Sequence, residues 1–206
     1  MQGKDEAFHI LDLALSHSTA DQTAVFLHVG DSNLTRYADS AIHQNTAVRD
    51  GELAVKAVVG KKIGVASSNR LDEPAVRATV EQAVAFARAQ VDNPDFVSLP
   101  GPLPIAPVAA YDEPTAQAGP EMRADAVSAI VAEAASRAAL ASGAFSTGYT
   151  ERAIANSLGV RAYEVTSGAH LTAVATADSG FGWADRTGRA AGFDFPAVGV
   201  EAAERA

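Results

Sequence analysis

The chain has 206 residues, 48% hydrophobic and 20% charged, the balance of a soluble globular protein with one large or two small domains. A net charge of −9 without any run of Lys or Arg argues against a nucleic-acid-binding surface, since phosphate contacts supply most of such affinity. With no cysteine there is no disulfide framework and no thiolate metal site.

Met1 to His17 carries acidic residues inside its apolar segment and no small-residue cleavage site, so it is no signal peptide. No apolar run approaches the roughly 20 residues of a membrane span; no membrane association and a cytoplasmic location are expected. Asp5 to Ser16 read as an amphipathic helix, with Phe8, Leu11, Ala14 and Leu15 on one face. Thr23 to Val29 alternate as a strand, and Gly30-Asp31-Ser32-Asn33-Leu34 has the composition of a turn.

Arg36 to Asn69 read as three short strands. Asp50-Gly51 is a hairpin signal, since both central residues of a type I′ turn need positive φ. Leu53, Val55, Ala57 and Val59 then alternate, Gly60-Lys61-Lys62 breaks the pattern, and Ile63, Val65 and Ser67 return. Asp72 is placed as an N-cap with Pro74 in the first turn of a helix whose apolar stripe is Val76, Val80, Ala83, Val84, Ala87 and Val91. Six prolines between Pro94 and Pro114 mark an extended connector. Pro120 opens a second long helix, expected to run to Ser142 with Gly143 as its stop and Val127, Ile130, Val131, Ala134 and Ala138 buried. Strands follow over 144–155 and 160–177, with a turn at Asn156 to Gly159. A tight turn at Asp178-Ser179-Gly180 leads to a return strand at Phe181 to Arg186, and Asp194 caps a last helix.

The fold class is therefore α+β. Residues 1–91 form an antiparallel meander covered by helices, 92–119 a proline-rich connector, and 120–206 a helix and the start of a second antiparallel sheet, shortened at its end because the helical pattern is still running at Ala206.

Arg36-Tyr37-Ala38, Ile42-His43-Gln44-Asn45 and Val48-Arg49-Asp50-Gly51 resemble the amino-terminal domain of the TldD/PmbA family, also called modulators of DNA gyrase. Ala155-Asn156-Ser157-Leu158-Gly159-Val160-Arg161 is similar to the SNS-G hairpin of that family. The resemblance covers nearly the whole chain. It implies a scaffold and substrate-channel portion of a metallopeptidase that degrades or matures unfolded peptides, working with a related subunit. The zinc motif of the family, HExxxH, lies further downstream than these residues. Zinc is implied for the full-length member and no cofactor for this chain, which is expected to be inactive alone; a non-catalytic partner or interaction protein of the same fold is the alternative.

The residues themselves agree on what is missing. No two of His9, His17, His28, His43 and His170 are three or four apart, so no helix presents two of them on one face. Gly60-Lys61-Lys62 lacks the earlier glycine and the hydroxyl of a P-loop, and Gly180-Phe181-Gly182 lacks the third glycine of a dinucleotide turn. Gly30-Asp31-Ser32 matches the nucleophile block of GDSL-type serine esterases, but Ser167, not aspartate, stands three residues before His170, so a base is wanting. His43 to Asn45 is a polar stretch inside a strand. Its bland reading is a solvent-facing edge; its functional reading makes His43 and Asn45 the wall of a peptide channel, because a strand edge holds extended peptide through backbone hydrogen bonds.

Overall fold

The computed structural model describes residues 2–178 and 180–206. Its elements are α1 (Lys4–His17), β1 (Gln22–Ala38), β2 (Ala41–Val59), β3 (Lys62–Ser68), α2 (Glu73–Ala89), α3 (Glu113–Ala116), α4 (Pro120–Ala135), β4 (Leu140–Asn156), β5 (Arg161–Ala177), β6 (Gly180–Gly188) and α5 (Phe195–Glu204). The strands form one six-stranded sheet in the order β3-β2-β1-β4-β5-β6. The α+β meander with its helical cover is thus present, and a second strand region follows α4. That region does not begin a separate sheet: β4 lies beside β1, which would otherwise leave a long row of backbone donors and acceptors unpaired. The turn expected at Asp178-Ser179-Gly180 falls on Ser179, outside the described residues.

The residues cluster into two compact units, one comprising the chain to Gly30 with Asp50–Ala109 and Thr150–Val165, the other Asp31–Arg49, Ala110–Tyr149 and Thr166–Ala206.

In the first unit, β2 and β3 pair antiparallel from Leu53↔Ser68 to Val59↔Lys62. Val25, Leu27, Leu53, Val55 and Ala57 meet Ala7, Ile10, Leu11 and Ala14 of α1 and Val76, Val80, Ala83 and Ala87 of α2 in one core. Asp72 caps α2 by accepting from the Ala75 amide at 3.1 Å. The helix stops at Ala89, and Val91, expected on its buried stripe, lies beyond the end and is exposed. Small residues let α2 approach β3 closely: a Cβ at Gly64 would sit 2.2 Å from the Ala87 nitrogen. In the same unit, the buried Glu151 carboxylate accepts the backbone N–H groups of Gln2 and Gly3, each at 2.8 Å, and the Tyr163 hydroxyl at 2.9 Å. Arg161 donates to both carboxylate oxygens of Asp12 and stands 4.3 Å from the Phe8 ring centroid.

In the second unit, Tyr37, Phe145, Ile130, Val127 and Leu171 are embedded in a core that is otherwise mostly alanine from α4, β4, β5 and α5. β5 and β6 pair antiparallel from Ala169↔Gly188 to Ala177↔Gly180. On β6, Gly182 and Ala184 face inward, and a Cβ at Gly182 would lie 2.0 Å from the Ala202 carbonyl oxygen of α5. Phe181 and Trp183 face out. Asp194 accepts from the Ala197 amide at 3.0 Å and caps α5 as expected.

Three local readings are corrected. Asp50-Gly51 is no turn: β2 runs through it, and the positive dihedrals belong to Asp39 (φ 49°) and Ser40 (φ 61°), a pair of the type I′ hand. The second unit fixes the turn there, because Ser40 exchanges backbone and side-chain hydrogen bonds with Ala141. Gly30 to Leu34 is likewise continuous strand within β1, so Ser32 does not sit on a loop. Finally α4 stops at Ala135 rather than near Ser142. Ala138 takes the left-handed conformation (φ 56°), the Ala139 amide returns to the Ala134 carbonyl, and Gly143 lies in β4.

Two outcomes follow for stability. Gly64→Ala forces α2 off β3 and is expected to cost about 1–3 kcal/mol in urea denaturation. The bond from Arg161, the largest influence on it, holds the Asp12 carboxyl below its ordinary 3.8. A carboxyl depressed by folding contributes stability above that value and loses it as pH falls through the lower folded value. Asp12→Asn should therefore melt lower than the parent at pH 7, with the difference shrinking well below pH 3.8.

Candidate functional site

Within the second unit, the polar interior is built around one side chain. Arg123 lies on the inward stripe of α4 with Val127, Ile130 and Ala134, and is 2% exposed. Its Nε donates to Thr35 Oγ1 on β1 at 3.1 Å. Its Nη1 donates to Thr147 Oγ1 on β4 at 3.0 Å and to the Ala118 carbonyl at 2.9 Å. Its Nη2 reaches Asn45 Oδ1 on β2 at 3.3 Å. Thr35 Oγ1, which accepts from Arg123, donates in turn to the same Asn45 oxygen at 3.3 Å.

All these acceptors are neutral. Among the described residues, Arg123 has no ion pair; burial lowers its pKa, and Glu121 raises it only as a more distant charge. A buried charge is ordinarily matched by an opposite one, since desolvation costs several kcal/mol per ion. Here the guanidinium is held by dipoles alone.

Of the two residues singled out from the sequence, the structure ties Asn45 into this network and leaves His43 out of it. The His43 side chain is exposed and makes no hydrogen bond among the described residues. Both belong to a stretch of β2, residues 41–50, in which nearly every side chain is exposed. Pairing with β3 begins only at Leu53, so the strand before it has no partner from β3. In the same unit, a shallow cleft of about 340 Å³ is lined by Ser40, Ile42, Val127, Ser128, Val131 and Ala132.

The first unit has a more polar cleft of about 510 Å³, lined by His28, Asp50, Gly51, Glu52, Ser67, Ser68 and Asn69. Among the described residues, no three His, Cys, Asp or Glu stand together in a way that could hold a metal ion. The zinc that the family resemblance implies for a full-length member thus finds no fitting donor set here.

The esterase reading also finds no constellation. Ser32 is an exposed mid-strand residue. Ser167 is consumed structurally, donating to the Arg189 carbonyl at 2.7 Å while accepting the Asp112 amide at 2.8 Å.

Sequence reasoning missed Arg123 and Glu151, although each left a signal. Arg123 falls four residues before Val127 on the apolar stripe, where a cation is out of place. Glu151 continues the inward alternation of Phe145, Thr147 and Tyr149.

Residues 23–87 match the family model for PmbA/TldA metallopeptidase domain 1, and residues 115–206 match the model for its central domain. This chain belongs to the TldD/PmbA family. Solved structures share its fold: TldE from Thermococcus kodakarensis (16% identity, TM-score 0.85, 96% of this chain and 46% of that one); a Thermotoga maritima protein described as a modulator of a DNA gyrase (16%, 0.81, 97% and 46%); and a Bacteroides thetaiotaomicron protein of like description (17%, 0.83, 100% and 50%). The chain spans about half the length of these proteins. None of the curated proteins matches it. No helix among the described residues is long and apolar enough to cross a membrane.

Arg123→Ala should leave the Thr35 and Thr147 hydroxyl oxygens and the Ala118 carbonyl without their donor, and take one of two donors from Asn45 Oδ1. The expected loss is about 3–5 kcal/mol in urea denaturation, larger than for an exposed arginine such as Arg77.

Proposed function

We propose that this TldD/PmbA-family chain is a non-catalytic interaction module that holds extended peptide along β2 and works beside a metal-bearing polypeptide of the same family. One observation carries the reading. Residues 41–50 of β2 are exposed, and β3 does not pair with the strand until Leu53. Free backbone donors and acceptors on a strand edge bind an incoming strand with little regard to its sequence, which suits a protein that handles unfolded peptides. The lack of any grouped metal ligands among the described residues supports a holding role over a hydrolytic one. In this reading His43 and Asn45, both exposed on that stretch, are the side chains assigned to peptide contact.

The chain incubated with an unstructured peptide and zinc should show no turnover; zinc-dependent hydrolysis refutes the reading. His43→Ala combined with Asn45→Ala should weaken peptide binding several-fold by fluorescence anisotropy with a labelled peptide, and unchanged affinity counts against β2 as the holding edge.

A further inference from the structure

The orientation of Asn45 follows from its neighbours. A guanidinium N–H can only donate, so the amide atom facing Arg123 Nη2 must be the oxygen. The Thr35 hydroxyl donates to that same oxygen. The other end of the amide, Nδ2 with its two hydrogens, has no partner among the described residues and belongs to an exposed side chain on the open part of β2. Asn45 is therefore a pinned donor with an unneutralised buried cation immediately behind it. Oxygen held by two donors polarises the amide and strengthens its N–H groups.

We infer that Asn45 is a carboxylate-recognition residue, positioned by Arg123, and that the peptides held on β2 are preferentially those presenting an acidic side chain or a free chain-terminal carboxylate at this point. The ligand supplies the negative charge that the protein interior withholds from Arg123. A neutral acceptor such as a peptide carbonyl meets the same donor but not the field behind it. The inference rests on the peptide-holding reading of β2, and the experiment separates the two.

Three probes suffice: an acetylated, amidated alanine pentapeptide with a central Asp, the same peptide with Asn, and an acetylated all-alanine pentapeptide ending in a free carboxylate. They are titrated into the isotope-labelled chain while the Asn45 side-chain amide signals are followed. The Asp peptide, the free-carboxylate peptide or both should bind about tenfold tighter than the Asn peptide, shift the Asn45 signals, and lose much of the advantage in high salt; which of the two binds tells the acidic side chain from the chain terminus. Asn45→Asp supplies the missing carboxylate from within. It should raise Tm by about 3–6 °C and abolish the preference. Equal affinity for all three peptides overturns the inference and leaves the strand-edge reading standing. Failure of every peptide to bind overturns both. An Asn45→Asp chain that melts lower than the parent, or still prefers acidic peptide, also overturns the inference.

Discussion

A guanidinium taken out of water and given no anion is the constraint on which the second unit turns. Arg123 survives there because its planar fork carries five donors at fixed angles, and four neutral oxygens from a loop and three different strands converge on it. No aliphatic side chain could replace it without stranding Thr35, Thr147 and the Ala118 carbonyl in a dry interior. The seat of α4 is thereby fixed: one turn out of register, the guanidinium would face apolar surface. The same geometry passes outward to Asn45, whose exposed amide has its direction decided by a residue it hides.

Small residues set the second constraint. In a core rich in alanine, stability depends on backbones lying close, and Gly64 against α2 and Gly182 against α5 mark where helix and strand nearly touch. Each unit reaches this in its own way. The first uses valines and leucines of β1 and β2 against two helices; the second uses alanine rows on β4 and β5 with three phenylalanines, 145, 193 and 195, packed in tilted and edge-to-face pairs 5.5–6.4 Å between centroids.

What could be read from the chain was what is locally encoded. Helices α2 and α5 announced themselves through Asp72 with Pro74 and Asp194 with Pro196, because capping needs only neighbours within three residues. The meander was legible in its alternation. The hairpin turn was not: Asp50-Gly51 has the better intrinsic propensity, but Asp39-Ser40 has the better partner, and that partner, Ala141, is a hundred residues away in sequence. The end of α4 was misjudged for a related reason, an alanine accepting a backbone conformation usually left to glycine. His43 and Asn45 could be picked out as polar residues in a strand. That only Asn45 is wired to the interior depended on Thr35, Thr147 and Arg123, whose convergence is a matter of strand register and helix seating rather than of any motif.

The placement of the chain's single tryptophan has an optical consequence. Trp183 stands half in solvent on the outer side of β6, whereas Tyr37 is 1% exposed, its hydroxyl donating to the Thr172 carbonyl at 3.1 Å. Indole emission from this protein is thus expected to report on whatever settles on the last strand, and to change less on loss of the alanine core than a fully buried indole would. The melting of that core is written instead in the near-ultraviolet dichroism of a buried phenol.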